Sequence, residues 1–392
     1  MMRFGETYRS CFEEKVFHEA RALKAEGVKV FGVYCSFTPK ELITAAGAIP
    51  VSLCAGSEKP MEHAHLHLPQ NLCALIKSSY GHALADTCPY FHAADHLLAD
   101  ATCDGKKKMF ELLSRIKPVH VLNLPQTSVG RASLDYWVEE LKSLVRLLES
   151  VTGNTVTHER LAREIRLHNA FRAKKREIYE LNTGEAPLVT GSEIDVITWN
   201  TMFDCNLAER ILEMDEAINH LKTRARDEGF LREMRPKPRI LLTGCPVTNK
   251  KVLTIIEESG AVVAAQENCG GLKTLSSLVP EEGDPLRALA RRYLEIPCSC
   301  MTPNTSRLGL LADIIQRYRI DGVVDLTWEA CHTYNVEAFS VREFVQERCC
   351  RPYIQIRTDY SQNDCEQIRT RIGAFLEMIA TATCRRAACA GA

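Results

Sequence analysis

Between Pro69 and Lys108 the segment PQNLCALIKSSYGHALADTCPYFHAADHLLADATCDGKKK carries three cysteines, Cys73, Cys88 and Cys103. Thiolates are soft ligands that suit both zinc and iron–sulfur clusters. A zinc knuckle or a ferredoxin loop takes its cysteines from closely spaced positions; here they are spread over about thirty residues of ordinary globular sequence. A shared metal therefore requires the fold to bring them together. We read them as ligands of an iron–sulfur cluster assembled by the tertiary structure.

Seventeen cysteines in 392 residues, an odd number, cannot all pair within one chain. No apolar run reaches the roughly 18–20 residues of a membrane helix, and the N-terminal MMRFGETYRSCFEEKVF is too charged for a signal peptide. The chain is accordingly expected to be cytoplasmic, where disulfides are rare. Hydrophobic content of 45% and charged content of 25% suit a soluble protein of two domains. A net charge of −1 lacks the basic excess of a nucleic-acid binder. Cys11, Cys349, Cys350, Cys384 and Cys389 read as small packing residues.

The elements that must position the remaining cysteines follow from periodicity. Residues 6–26 read as an amphipathic helix, VKVFGVYC as a strand, TPKELITAAG as a helix and AIPVSLC as a second strand. NLCALIKSSYGHAL reads as a helix, DHLLADATC as a strand, KKKMFELLSRI as a helix and PVHVLNLPQ as a strand. From about Ser133 to Arg235 the pattern turns long, charged and helical. Alternation resumes at Pro236, with strands PKPRILLTGC, AVVAAQENC, DGVVDLTWEAC and PYIQIRTDYS separated by helices, and Cys298 and Cys300 at a strand or loop edge. The expected fold is α/β: two Rossmann-like, doubly wound, mostly parallel domains (1–132 and 236–392) around a helical connector (133–235).

Cys35, Cys54 and Cys103 of the first unit, and Cys245, Cys269 and Cys331 of the second, each fall at the carboxyl end of a predicted strand. In open α/β sheets ligands bind at that edge. Two such edges facing one another would enclose one crevice. The turns there, at Asp104-Gly105, Pro246 and Gly270-Gly271, present backbone N–H groups that favour an anionic, thiolate-ligated cluster. Neither GxGxxG nor GxxxxGK[ST] occurs, which argues against nucleotide binding by this chain.

SFTPKELITAAGAIPVSLC, NLCALIKSSYG, ATCDGKKKMFELL, LNLPQ, DGVVDLTWEACHTYNVE and RTRIGAFLE resemble, over nearly the whole chain, the 2-hydroxyacyl-CoA dehydratase/benzoyl-CoA reductase superfamily. That resemblance puts Cys73, Cys103 and Cys331 at the positions that hold one [4Fe–4S] cubane in ordinary dehydratase subunits. DTCPYFHAADH with Cys88, LLTGCP with Cys245 and ENCGG with Cys269 resemble the double-cubane-cluster reductases, in which two cubanes share a sulfide as [8Fe–9S]. It therefore implies six ligands, Cys73, Cys88, Cys103, Cys245, Cys269 and Cys331, with Cys54 and Cys298 in reserve. The CSCMTPN segment departs by adding Cys300 beside Cys298. The resemblance further implies a homodimer, a separate ATP-hydrolysing [4Fe–4S] partner that delivers low-potential electrons, and reduction of a small molecule that is acetylene-like or N–N bonded. The alternatives are a one-cubane dehydratase subunit acting on an acyl-CoA, a non-catalytic cluster carrier or redox sensor, and a zinc-stapled structural protein.

Polar candidates are fewer. His332 beside Cys331 and Glu267 near Cys269 would orient ligands or relay protons if those cysteines bind a cluster. Lys77, Tyr80 and Tyr334 are placed similarly, with less to select them. His63, His65 and His67 would share a face only if extended, and read as a solvated loop. Lys106, Lys107 and Lys108, and the basic run RLHNAFRAKKR from Arg166, read as solvated helix faces, although the lysine cluster also suits docking of the ATPase.

Overall fold

The computed structural model describes residues 18–199 and 205–390. Of the first expected helix, residues 18–25 are described and are helical; Cys11 and the side chains of Cys384 and Cys389 lie outside the described set.

Among the described residues eight strands form two separate four-stranded sheets: β1 (Val30–Tyr34), β2 (Ile49–Ser52), β3 (His96–Asp100) and β4 (Val119–Leu122), then β5 (Arg239–Gly244), β6 (Val262–Glu267), β7 (Gly322–Trp328) and β8 (Tyr353–Thr358). Every pairing is parallel, in the orders β2-β1-β3-β4 and β6-β5-β7-β8. The two units thus have one topology, and the Rossmann-like α/β expectation holds. In each sheet the chain first steps one way from the central strand (β1 or β5) and then the other, so a crevice opens at the carboxyl end beside it.

Parallel strands need both faces covered, and their sequences are correspondingly apolar throughout. Along β1, Val30 and Tyr34 join one buried cluster while Phe31 and Val33 join another, as a two-residue side-chain period requires. The first cluster also contains Ile240, Leu242 and Val324 of the second sheet, so a single apolar body holds the two units together. Helix Arg131–Thr152 covers the opposite face of the first sheet through Trp137, Leu141 and Leu144.

Helix His158–Glu180 spans the two units. Thr157 caps it, its hydroxyl accepting from the Arg160 N–H; Leu161 and Ile165 pack with the first sheet, and Phe171, Ile178 and Tyr179 with the second. Midway, the fully buried Glu41 carboxylate of the first unit takes hydrogen bonds from Arg172 of this helix and Tyr293 of the second unit. Three parts of the chain meet at one ion pair.

Local boundaries differ from expectation in two places. DHLLADATC is a strand only to Asp100, because the Asp100 carboxylate turns sideways to accept from the N–H groups of Phe37 and Thr38, and Thr102-Cys103 then leads into helix Asp104–Leu113. His63 belongs to a short helix, Met61–Ala64, rather than to a loop. The segment before Cys298 is helix Pro285–Leu294, which Asp284 caps at the N–H groups of Leu286 and Arg287, so of the two placements expected for Cys298, strand or loop edge, the loop holds.

Candidate metal centre

The carboxyl ends of both sheets open onto one cavity of about 330 Å³. Nine cysteines line it: Cys35, Cys54, Cys73, Cys103, Cys245, Cys269, Cys298, Cys300 and Cys331. The sequence of the second unit repeats the placement of the first. Cys35 and Cys245 follow the last residue of β1 and β5 directly, Cys54 and Cys269 stand two residues beyond β2 and β6, and Cys103 and Cys331 stand three beyond β3 and β7. Cys73 and Cys298 both come from the crossover between the second and third strands of their units. The two units thus contribute matching sets of four thiols.

The repeat sorts six of these thiols into two corresponding triads, and direct contacts tie the first of them. Cys331 accepts hydrogen bonds from Cys245 and Cys73, which bring its thiol down to about 3, while the same bond pushes the Cys73 thiol up. Burial, followed by the bond to Cys331, pushes Cys245 up as well. The counterparts exchanged by the repeat are Cys103, Cys35 and Cys298; burial is the first cause raising the Cys35 and Cys103 thiols, and among thiol neighbours Cys269 acts most on Cys35 and Cys331 most on Cys103, ahead of Cys298. Cys298 itself accepts from Cys300, the main reason its thiol is lowered to about 5.

The backbone is bent to aim these groups. Gly244 has φ +102°, and a Cβ there would sit 2.3 Å from the Leu326 carbonyl oxygen, so only glycine lets β5 turn into Cys245. Cys35 adopts φ +83° and Ala330, before Cys331, φ +57°, both in the left-handed region that side chains avoid. Strain of this kind is kept where geometry serves a site.

Positive charge lies among the thiols. Lys106, in the first turn of helix Asp104–Leu113, lines the cavity and lowers the thiols of Cys35, Cys54 and Cys103 against the larger effect of burial. Burial works against its own charge, but those thiols and Cys269 hold the ammonium well above its ordinary value. The reading of Lys106 as a solvated residue is therefore corrected; Lys107 and Lys108 are exposed as expected. The basic run from Arg166 is corrected in the same way. Helix His158–Glu180 turns His168, Phe171, Arg172 and Lys175 toward the cavity, because the helix is a wall between the units and not a surface.

Of the six cysteines singled out from sequence, Cys73, Cys103, Cys245, Cys269 and Cys331 line the cavity, as do the reserves Cys54 and Cys298. Cys88 does not. It caps helix Pro89–Ala93, its Sγ accepting from the Phe91 N–H at 3.4 Å, and faces an adjoining pocket whose wall includes Cys54. Glu267, fully buried, stands behind the wall, where Arg307 at 3.0 Å and Lys273 at 3.3 Å outweigh burial and keep its carboxyl below its ordinary value. His332 is solvent-exposed at the start of its helix. His63, His65 and His67 are absent from the cavity wall.

Sequence reasoning placed Cys35 at a strand end without making it a ligand, left the Cys298–Cys300 pair in reserve, and read Lys106 as a surface residue. The signal for Cys35 was its strand-end position; for Lys106 it was the helical spacing from Cys103, which directs a residue three places on back toward the same side.

The donor set suits a polynuclear thiolate-bound group. The thiols are too spread for one ion, since no three His, Cys, Asp or Glu side chains among the described residues converge as a single metal requires. They ring a volume instead. The chain matches the family described as 2-hydroxyglutaryl-CoA dehydratase, D-component, over residues 35–379. It belongs to that family. It is 41% identical to the putative dehydratase subunit YjiM of Escherichia coli, over 91% of this chain and 93% of that protein. It is 22% identical to the (R)-phenyllactyl-CoA dehydratase beta subunit of Clostridium sporogenes (96% and 99% covered) and 21% identical to a benzoyl-CoA reductase subunit of Thauera aromatica (94% and 96%). The matched span of this 2-hydroxyglutaryl-CoA dehydratase D-component family member takes in every cavity cysteine. No helix among its described residues is long and apolar enough to cross a membrane.

Proposed function

We propose that this chain is an iron–sulfur reductase component that holds a double-cubane [8Fe–9S] cluster between its two α/β units. The observation that carries the reading is the repeat of thiol positions, which sets Cys73/Cys245/Cys331 and their counterparts Cys298/Cys35/Cys103 on one cavity. A single cubane calls for one such set. Two sets related by the repeat suit two cubanes side by side, with Cys54 and Cys269 flanking them. Such a cluster, when bound, supplies electrons at low potential.

The protein's own part is to hold the ligands in the cavity between the units, to offset their charge with Lys106 and to bound the substrate space with helix His158–Glu180. His168, Phe171, Arg172 and Lys175 of that helix give the substrate side both apolar and cationic contacts. Electrons come from an ATP-hydrolysing [4Fe–4S] partner, the working unit is a homodimer in the cytoplasm, and the substrate is a small acetylene-like or N–N bonded molecule. The resemblance of the sequence to double-cubane reductases supports these assignments.

A dehydratase subunit is the second reading, favoured by the names of the relatives. Iron and acid-labile sulfide on anaerobically purified protein separate the two. About eight iron and nine sulfide per chain support the double cubane, and about four of each support the dehydratase. Absence of iron would sink both.

A further inference from the structure

The two units repeat their thiols but not the residue that follows. Three places beyond Cys103 stands Lys106; three places beyond the matching Cys331 stands Tyr334. Tyr334 is 6% exposed, lines the cavity and opens the first turn of helix His332–Glu343.

Its hydroxyl is held from behind. The Lys273 ammonium donates to the Tyr334 oxygen at 2.7 Å and is itself fixed by Glu267 at 3.3 Å. Lys273 Nζ and the Arg307 guanidinium also lie over the ring, at 4.8 and 5.1 Å from its centroid. Lys273, Glu267 and Arg307 are 0%, 0% and 1% exposed, so this support cannot rearrange without leaving a buried charge unpaired. An ammonium can only donate, so the phenol oxygen accepts from it and the phenol proton must point elsewhere. The partner on the cavity side is Cys298 Sγ, at 4.0 Å.

We infer that Tyr334 is a positioning residue that donates a hydrogen bond to the Cys298 sulfur and so raises the potential at which a bound cluster accepts its first electron. The inference rests on the iron–sulfur reading above. A hydrogen bond to a ligand sulfur stabilises the more negative, reduced state and raises the potential. The other triad has polar neighbours of its own, the Trp328 N–H on Cys245 Sγ at 3.4 Å and the Thr333 hydroxyl 3.9 Å from Cys331 Sγ, and Tyr334 supplies the counterpart on the Cys298 side.

The test is Tyr334→Phe, which removes one oxygen and leaves the ring packed. Wild type and variant, both purified anaerobically, are compared for iron content, for midpoint potential by EPR-monitored titration, and for exchangeable-proton coupling by ENDOR in H₂O and D₂O. Equal iron, a lower first midpoint and loss of one exchangeable coupling in the variant support the inference. Equal iron with an unchanged midpoint and unchanged couplings overturns it while leaving the iron–sulfur reading intact. Loss of iron from the variant alone overturns the tuning role in favour of a structural one. No iron in the wild type overturns the iron–sulfur reading, and the inference with it.

Discussion

The thiols of Cys73 and Cys331, one from each sheet-bearing unit, are hydrogen-bonded to one another. Neither residue has this partner until both units have folded and docked. The site therefore reports on assembly of the whole chain, and ligand loss in one unit should be felt in the other.

Cys331→Ser tests this directly. Without the central acceptor of its triad, the protein is expected to lose much of its iron and all ATP-dependent reduction, while Cys350→Ser, at an exposed position, changes neither. Iron per chain by colorimetric assay, together with the thermal unfolding curve, separates ligand loss from misfolding. Full iron in Cys331→Ser would remove it from the ligand set.

Lys106→Met should act on cluster assembly more than on the fold. Its charge is the largest of the effects that lower the Cys54 and Cys103 thiols, and it opposes their burial. Without it the thiolates become harder to form, so iron uptake on reconstitution should fall several-fold. Lys108→Met, on the exposed part of the same helix, is the control. Equal uptake by wild type and Lys106→Met would show that the lysine is a bystander.

The fold was legible because parallel strands buried on both faces spell themselves in near-continuous apolar runs, and VVDLTW in β7 is a clear case. The strand-end cysteines were legible for the same reason. Lys106 and the basic run from Arg166 were misread because charge in an amphipathic helix normally faces water. Here the helix carrying Arg172 lies between two units, and Glu41 and Tyr293 supply partners that no local window contains. Cys88 was misplaced relative to the others because spacing from Cys73 does not reveal that helix Ala74–Ala85 ends at Asp86, in the left-handed conformation, and sends Cys88 to an adjoining pocket. Only the three-dimensional turn decides that.

The Glu41–Arg172–Tyr293 junction sets an acid limit on stability. Burial pushes the Glu41 carboxyl up, but the Arg172 charge and hydrogen bond, with His168, outweigh it and bring it to about 2 from an ordinary 4.5. The sign is that of a depressed carboxylate: its contribution is fully present above the ordinary value and is lost as pH falls through about 2. The contribution is on the order of 3 kcal/mol at neutral pH. Glu41→Gln should therefore lower stability by about 3 kcal/mol in denaturant titrations at pH 7, with a smaller difference at pH 3. A difference that does not shrink with acid would mean that packing, and not the charge, holds the junction.

Cys35 and Cys88 give the sharpest division between a ligand set read from sequence and one read from the repeat. Cys35 matches Cys245 in its unit, takes a left-handed backbone to enter the cavity and feels Cys298 and Cys269. Cys88 faces a different pocket and already has the Phe91 N–H on its sulfur. Replacing each by serine and counting iron is decisive, because either side chain is small enough to be exchanged without opening the core. Cys35→Ser is expected to lose iron and to weaken the cluster absorbance, and Cys88→Ser to keep both. The reverse outcome would return Cys88 to the cluster and require helix Pro89–Ala93 to turn its first residue toward the thiols when iron is bound.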